Sequence, residues 1–432
     1  MIAVALSGIQ RAFDVGVSDA AWLVTIYLVA MAAGQPIGGN LGDRLGRRRV
    51  YLIGLVWFVA ASIGCALAPN LPVLILFRTQ QALAGALGFP NGAAMIRAAL
   101  PANRHGTGFG VIGLSTGTAA ALGPPLGGFL VDGFGWASVF WVNVPLGIIA
   151  VALGWRALPR SDIQSRSHGR FDLMGSGLLA LSLGMVILLP KSLAVGALAT
   201  VLVMLVAIVA GIAFVLREVR HSSPVVDVNL FRNRAFAAAC TGNALGNFVM
   251  YTTLLALPLF LGDLLHYSLR AVGLMLVALS ACSALLGPVG GRWADRAGIW
   301  RPAVSGGTGI LIGAAIVVLG VSRDAVAIIV PGLALIGMGL GIAGASLTLA
   351  ATTSVPIERV GSAAGIFSTS RYFGSIAGAS LLAAVFTTDV SDADQTRFVW
   401  LFGGLSLAAM LNLFAYARLG SVTPSPVTPA RA

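Results

Sequence analysis

The sequence predicts an all-α integral membrane protein, built as two six-helix bundles plus two extra central helices, fourteen spans with the first incomplete. Three observations lead there. Hydrophobic residues make up 57% of the 432 positions and charged residues only 10%, with a mean hydropathy of +0.92. That leaves too few charges to cover a water-soluble globule of this size. A twelve-residue segment also occurs twice, as QPIGGNLGDRLG at 35–46 and GPVGGRWADRAG at 287–298. Pro36/Pro288, Gly38/Gly290, Gly39/Gly291, Asp43/Asp295, Arg44/Arg296 and Gly46/Gly298 match at a constant offset of 252. A repeat at this separation in a membrane chain marks two halves that share one architecture. Finally, the basic residues alternate from loop to loop.

Apolar runs near 20 residues meet the length a bilayer core demands of a helix. The first, 1–11, falls short: nine apolar residues at about 1.5 Å each reach roughly half of a core about 30 Å thick. The expectation is a start upstream of Met1, or a first helix that is half missing. Spans then follow at 21–41, 50–69, 72–98, 107–131 and 137–157. Polar loops at 158–172 and 217–233 bracket two more, 173–190 and 194–216. The series closes with 234–261, 269–292, 302–321, 325–350, 360–387 and 397–417. Both copies of the repeat end a span on the same side, so an even number of crossings separates them. They close spans 2 and 10, which places two extra helices between six-span halves. The predicted organisation is an N-terminal bundle over 1–157, a linker with the two extra spans over 158–233, a C-terminal bundle over 234–420 and a disordered cytoplasmic tail over 421–432.

With the turn at 42–49 taken as cytoplasmic, 20 of the 27 basic residues fall in cytoplasmic segments and five in external ones. Arg78 and Arg371 lie within spans. This asymmetry follows the positive-inside rule and puts both termini in the cytoplasm of a cell with a multi-pass protein in its inner or plasma membrane. The net charge of +12 is scattered in short clusters, so no nucleic-acid partner is expected. Cys65, Cys240 and Cys282 all lie in predicted spans and read as small apolar packing residues. His105, His168, His221 and His266 sit in loops without metal-ligand spacing, so neither a metal nor a cofactor is expected.

The repeated loop is the first candidate site. Gly39 and Gly46 permit close helix approach and a sharp reversal. Asp43 can accept hydrogen bonds from a neighbouring helix N-terminus or pair with an arginine, a contact that exists in one conformation only. Asp295-Arg296 repeats Asp43-Arg44 in register; the plainer reading is that Arg44, Arg47 and Arg48 merely anchor topology. Arg78 is a charge inside a span, expensive unless it faces a cavity or a partner. It reads either as a structural arginine satisfied by carbonyls and by Gln81 one turn away, or as a proton-relay or gating group. Arg371 occupies the corresponding depth of the other half. Asn243, Asn247 and Tyr251 at i, i+4 and i+8 share one face and either line a substrate cavity or bond to a neighbouring helix. Gln35 and Gln81 would contribute from the opposite bundle. Gly113/Gly117, Gly123/Gly127 and Gly242/Gly246 read as packing seams, and Pro124-Pro125 as a kink.

These residues resemble a known family. Gly39 to Arg48 is similar to the signature loop of the major facilitator superfamily. Gly123-Pro124-Pro125-Leu126-Gly127-Gly128, preceded by Gly113 and Gly117, resembles the G-P-x-x-G-G motif of its drug/proton antiporters and implies a hinge there. Leu74-x-x-x-Arg78-x-x-Gln81 resembles another antiporter motif, with Ala82 where a glycine is expected. Asn143-Val144-Pro145-Leu146-Gly147, Phe171-Asp172-Leu173-Met174-Gly175, Leu230-Phe231-Arg232-Asn233-Arg234 and the Arg371 segment SRYFGSIAG continue the likeness down the chain. Together with fourteen spans, the resemblance implies a 14-span drug:proton antiporter, exporting small molecules as a monomer with protons as coupling ion. One departure stands out: the family's first helix carries an Asp that would fall upstream of Met1. All fifteen acidic residues sit in loops or at span ends, so proton coupling rests on the resemblance alone. A narrow-specificity metabolite or amino-acid exporter is the alternative, and a transport-defective or scaffold protein follows if the short start is genuine. An enzyme is not expected, because no acids, His or Cys cluster in the spans. No G-x-x-x-x-G-K-[ST] loop is present for direct use of ATP.

Overall fold

The computed structural model of the chain describes residues 2–20, 22–158, 172–221, 224, 226–385 and 395–421. The predicted tail beyond Ser421 and most of the 158–172 loop, with Arg160, Arg166, His168 and Arg170, lie outside the described residues. Within them there is no strand.

The helices follow the predicted apolar runs. The N-terminal bundle comprises α1 (Ile2–Phe13), the short α2 (Val17–Ala20), α3 (Trp22–Leu45), α4 (Arg47–Ala66), α5 (Leu71–Ala86), α6 (Gly88–Ala99), α7 (His105–Phe134), α8 (Ser138–Trp141) and α9 (Asn143–Ala157). The inserted pair is α10 (Leu173–Val195) and α11 (Ala197–Arg220). The C-terminal bundle comprises α12 (Arg234–Pro258), α13 (Leu269–Ala297), α14 (Trp300–Ser322), α15 (Val326–Thr353), α16 (Val360–Val385) and α17 (Gln395–Ala417).

Three departures from the expected spans have physical causes. The fourth span is two helices, α5 ending at Ala86 four residues before Pro90; the sixth is also two, α8 ending at Trp141 four residues before Pro145. A proline ring collides with the carbonyl four residues back and supplies no N–H to it, which ends a helix at that point. Pro36 sits inside α3 without a break, and the Ala32 carbonyl it frees accepts a hydrogen bond from Thr369 Oγ1 of α16 at 2.9 Å. Helix α7 likewise stays helical through 124–125. The third departure is the hairpin of the inserted pair. Only Gly196 separates α10 from α11, at a φ of 141° that favours glycine, so Lys191 belongs to the last turns of α10 and not to an external loop.

Short polar motifs punctuate the chain as caps. Asn70, Asp172, Asn233 and Ser268 each accept a backbone N–H at the start of α5, α10, α12 and α13, satisfying donors that a helix end leaves open. The C-terminal half buries one large core containing Phe236, Phe260, Phe398, Phe402 and Tyr416. The N-terminal half buries a smaller one around Ile9, Leu23, Leu74 and Phe140. Leu179, Leu183 and Phe214 of the inserted pair pack on Ala32 and Ala33 of α3 and on Tyr372 of α16. The pair therefore straddles the boundary between the halves on one side of the molecule.

Candidate functional site

The halves meet along two seams, α3 against α16 and α7 against α13. At one end of both seams backbone touches backbone. A Cβ at Gly39 would run into the Gly361 carbonyl, and one at Gly291 into the Gly106 carbonyl. One step further in, a Cβ at Gly365 would lie 2.5 Å from the Gln35 carbonyl oxygen and one at Gly110 2.6 Å from that of Gly287. In lipid, where burying apolar surface against apolar surface gains little, such close approach is how helices associate.

The two repeated aspartates lock this end. Asp43 Oδ1 accepts from the Gly361 N–H at 3.1 Å and Oδ2 from the Ser362 N–H at 2.9 Å, at the start of α16. Asp295 Oδ1 accepts from the Gly106 N–H at 2.6 Å; its Oδ2 accepts from the Thr107 N–H at 2.7 Å and from Thr107 Oγ1 at 2.6 Å, at the start of α7. Each carboxylate thus sits on a helix N-terminus of the opposite half, where both the orphan donors and the dipole favour negative charge. The two clasps differ in one respect. Arg47, buried one turn beyond Asp43, donates to it from Nε and Nη2 at 3.2 and 3.0 Å and also to the Ile357 carbonyl. The position equivalent to Arg47 in the second copy is Ile299. Arg97 adds a further strap from α6, donating to the Thr352 and Val355 carbonyls at the end of α15.

Not every residue of the repeated loop takes part. Gly46 and Gly298 make the turns themselves, with φ of 95° and 80°. Arg44 is partly exposed at the end of α3, and Arg296 is exposed. Arg48 points sideways: its guanidinium lies 5.4 Å from the Trp155 ring and donates to the Trp155 carbonyl at 2.5 Å. Beside it, an apolar groove of about 550 Å³ between α4 and α9, lined by Val56, Val59, Ile148 and Trp155 among others, faces outward from the bundle and not toward the seams.

Midway along the helices lies a second group. The Arg78 guanidinium stacks 3.9 Å over the Tyr27 ring and donates to Gln81 Oε1, while Gln81 Nε2 donates to Ser62 Oγ at 2.6 Å. Arg78 Nε is buried and has no hydrogen-bond partner. Arg371 lies 5.3 Å from the Tyr372 ring and 5.7 Å from Phe89 of the other half, and donates to Ser368 Oγ at 3.2 Å. Tyr27 interacts electrostatically with both Arg78 and Tyr372. Tyr251 lies in the electrostatic reach of Arg371 and Tyr372, and Ser375 Oγ donates to the Arg371 carbonyl at 3.0 Å. Asn243 spends its amide hydrogens on α16, at the Phe367 carbonyl (2.9 Å) and Ser370 Oγ (3.0 Å), and Asn247 donates back to Asn243. Gln35 is fully buried at the α3–α16 seam, with neither amide atom hydrogen-bonded.

Of the glycine pairs, Gly117 presses on Ala284 of α13, whereas Gly113 and Gly128 have open space beside them. Gly123 and Gly127 are buried in α7, flanking Pro124 in the same unbroken helix. Gly242 faces the Tyr416 ring and Gly246 faces Leu340, inside the C-terminal core.

Several participants escaped sequence reasoning. Gly106-Thr107 and Gly361-Ser362, which receive the aspartates, are themselves a repeat: Gly106/Gly361, Thr107/Ser362 and Gly110/Gly365 match at an offset of 255. Tyr27 falls on one stripe with Met31 and Gln35 at i, i+4 and i+8, the same spacing that singled out Asn243, Asn247 and Tyr251. Tyr372 simply follows Arg371.

Comparison with known proteins agrees with this geometry. Residues 1–379 match the family described as Major Facilitator Superfamily. The Uncharacterized MFS-type transporter YvkA of Bacillus subtilis (strain 168) is 36% identical over 418 residues, covering 96% of this chain and 91% of that protein. Multidrug resistance protein Stp of Mycobacterium tuberculosis (strain ATCC 25618 / H37Rv) is 33% identical over 389 residues, 89% of this chain and 72% of that protein. Among solved structures, the proton:xylose symporter XylE bound to 6-bromo-6-deoxy-D-glucose superposes with a TM-score of 0.68 at 14% identity, over 96% of this chain and 91% of that one, a likeness of fold alone. Two glycine-tight seams, a duplicated aspartate clasp and a family match over most of its length together show that the chain belongs to the Major Facilitator Superfamily of transporters.

Proposed function

We propose that this transporter is a secondary active exporter of small amphipathic molecules, rocking residues 1–157 against residues 234–420 about a site at the bilayer midplane. The duplicated aspartate clasp carries this reading. Each carboxylate binds amides of the opposite half, so the bonds must break for that end to open and must re-form for it to close. Such a contact biases a two-state equilibrium between a closed and an open end. The clasped end is the cytoplasmic one in this reading, because the arginine-rich turns lie there. Residues 158–233 form an inserted helical pair, both termini are cytoplasmic, and a single copy in the cell membrane suffices.

Export of drug-like compounds is supported by the likeness to Multidrug resistance protein Stp of Mycobacterium tuberculosis and by the likeness of residues 123–128 to an antiporter hinge. The proposed driving ion is the proton, with Arg78 and Gln81 as the relay in the N-terminal half and Arg371 as its counterpart. The sequence holds no carboxylate deep in a span, so coupling has to be read directly. The experiment is uptake of a panel of neutral, anionic and cationic dyes into inside-out proteoliposomes carrying an acid-inside gradient. Accumulation that collapses with a protonophore, and that Arg78→Ala abolishes without loss of membrane insertion, is the expected result. Accumulation indifferent to the protonophore removes proton coupling and leaves transport; a panel with no transported member removes the exporter reading.

A further inference from the structure

Helices α4 and α9 approach each other at two glycines of α9. A Cβ on Gly147 would collide with the Val59 side chain, and one on Gly154 would lie 3.1 Å from Leu52. Beside that line of contact, Ile148, Val151, Trp155 and Arg156 share one face of α9 and, with Val56 and Val59 of α4, wall the outward groove of about 550 Å³. Val56, Ile148 and Trp155 are each more than half exposed, so in a membrane this wall meets lipid. Eleven residues of α4 separate Arg48 from Val59 and eight of α9 separate Ile148 from Arg156, about 17 and 12 Å at about 1.5 Å per residue. That is the depth of one leaflet, half of a core about 30 Å thick. One end of the groove is basic. Arg156 lines it, and the Arg48 guanidinium lies 5.4 Å from the Trp155 ring centre and donates to the Trp155 carbonyl. That carbonyl belongs to the peptide joining Trp155 to Arg156, so both arginines converge there. Arg48 Nε is buried with no hydrogen-bond partner. No carboxylate answers either charge: the ion pairs among the described residues join Asp43 to Arg47, Asp172 to Arg217 and His221, and Asp227 to Arg359. The carbonyl end of α9 supplies only about half a negative charge, which leaves most of two positive charges uncompensated. Arg49, exposed one residue on, adds a third.

We propose that this groove binds an anionic phospholipid, with an acyl chain along Val56, Val59, Ile148 and Val151 and the phosphate at Arg48 and Arg156. The site goes beyond the transport reading and does not depend on it. Its two parts ask for an occupant of two parts. A soluble anion has no use for an apolar wall one leaflet deep, and an uncharged drug has none for the arginines at its end. Guanidinium forks present paired N–H donors to phosphate oxygens, and basic pockets at the ends of spans recognise anionic headgroups in this way. Trp155 suits the boundary, its ring at the edge of the hydrocarbon beside charges that reach toward the headgroups. A zwitterionic phospholipid offers the same phosphate but brings its own cation up against the arginines, so the net charge of the headgroup sets the preference. The basic end lies on the side of the aspartate clasp, which makes the lipid one of the cytoplasmic leaflet in the orientation read above.

The test reads lipid contact at Trp155. Full-length protein with every other tryptophan replaced by Phe is placed in phosphatidylcholine nanodiscs. These are doped with phosphatidylglycerol or phosphatidylcholine brominated on the acyl chain, which quenches a tryptophan it touches. Phosphatidylglycerol is expected to occupy the groove at least about fivefold more tightly than phosphatidylcholine, the ratio that about 1 kcal/mol makes. Arg48→Gln and Arg156→Gln should each lower that ratio, the double substitution should erase the preference, and Arg156→Lys should keep part of it. Thermal unfolding checks that each variant is folded; should the double variant not fold, Arg156→Gln alone, on an exposed side chain, carries the reading. Protein retaining only Trp400, 77% exposed near the start of α17 at the end away from the clasp, reports the surrounding bilayer and should show no preference. Equal quenching by the two lipids at Trp155 overturns the proposal, as does a preference that survives loss of the arginines. So does displacement of the brominated phosphatidylglycerol by a neutral dye of the panel above, which would make the groove a place for substrate.

Discussion

Asp43 and Asp295 occupy equivalent positions, yet their surroundings make them unequal. Each accepts two helix N-terminal amides from the other half, and bonds of this charge-assisted kind contribute about 1.5–3 kcal/mol. Asp43 also neutralises Arg47, whose side chain is only 5% exposed. Asp43→Asn therefore removes a clasp and strands a buried guanidinium, whereas Asp295→Asn removes a clasp alone. Stripping one partner from a buried pair costs about 3–5 kcal/mol. Asp43→Asn should lower the thermal unfolding midpoint clearly more than Asp295→Asn, while both raise labelling of cysteines placed at the clasped end. Equal unfolding midpoints would show that Arg47 takes no energetic part. The sequence disclosed the aspartates because they repeat among charged neighbours. Their receivers, Gly106-Thr107 and Gly361-Ser362, repeat as well but with small residues that carry no distinctive chemistry, so pattern alone did not set them apart.

At the scale of the helix, the same glycine content serves opposite ends, and only contacts tell which. Gly106 and Gly113 lie on α7 two turns apart. A Cβ on Gly106 would collide with the Gly291 carbonyl, while one on Gly113 meets open space. Alanine favours a helix over glycine by about 1 kcal/mol, so Gly113→Ala should be neutral or slightly stabilising. Gly106→Ala should keep the protein folded yet prevent closure, seen as loss of transport with cysteines at that end permanently accessible. Normal transport in Gly106→Ala would mean that backbone contact at the seam is dispensable. Element boundaries were legible where apolar runs met caps, since Asp172 and Asn233 lie in motifs the sequence already marked. Where Pro90 and Pro145 split spans, an apolar run gave no sign, because a broken helix in lipid is as apolar as a straight one.

The inserted pair offers a prediction at the same scale. Burial of the Asp172 carboxyl would raise its pKa, but the Gly175 amide, Arg217 and His221 outweigh burial and hold it below the usual carboxylate range. Its folded-state pKa is thus depressed, so its contribution to stability is complete above the ordinary value near 4 and is lost as pH falls through the lower folded value. The start of α10 and the end of α11 should be firm at neutral pH and loosen only in acid below about pH 4. Asp172→Asn should reproduce that loosening at pH 7, measured as faster amide hydrogen exchange at Gly175 and Ser176. Exchange that stays slow in the variant would place the anchor elsewhere, in the contacts of Leu179 and Phe214 with α3.

For the whole molecule, the two seams are related by the internal repeat but differ in what covers them. Helices α10 and α11 lie over the α3–α16 seam, through Leu179, Leu183 and Phe214 against Ala32, Ala33 and Tyr372. Among the described residues the α7–α13 seam carries no such inserted helical pair, so it is the place to fasten the halves. Gly117 and Ala284 face each other there, with a Cβ on Gly117 falling 2.5 Å from the Ala284 Cβ. That is closer than the roughly 3.8 Å between the Cβ atoms of a disulfide, so a small outward shift would suit a bridge. A Gly117→Cys, Ala284→Cys pair, placed in a background with Cys65, Cys240 and Cys282 replaced, should cross-link when oxidised and keep the halves from parting along this seam. If transport depends on the halves separating along it, the oxidised protein binds substrate but cannot move it across the membrane, and a reductant restores transport to the level of either single variant. The binding measurement separates this outcome from unfolding, because a denatured protein would lose both properties. Full transport by protein shown to be cross-linked would mean that the α7–α13 seam never opens in the cycle, and the two-bundle rocking mechanism would have to be abandoned.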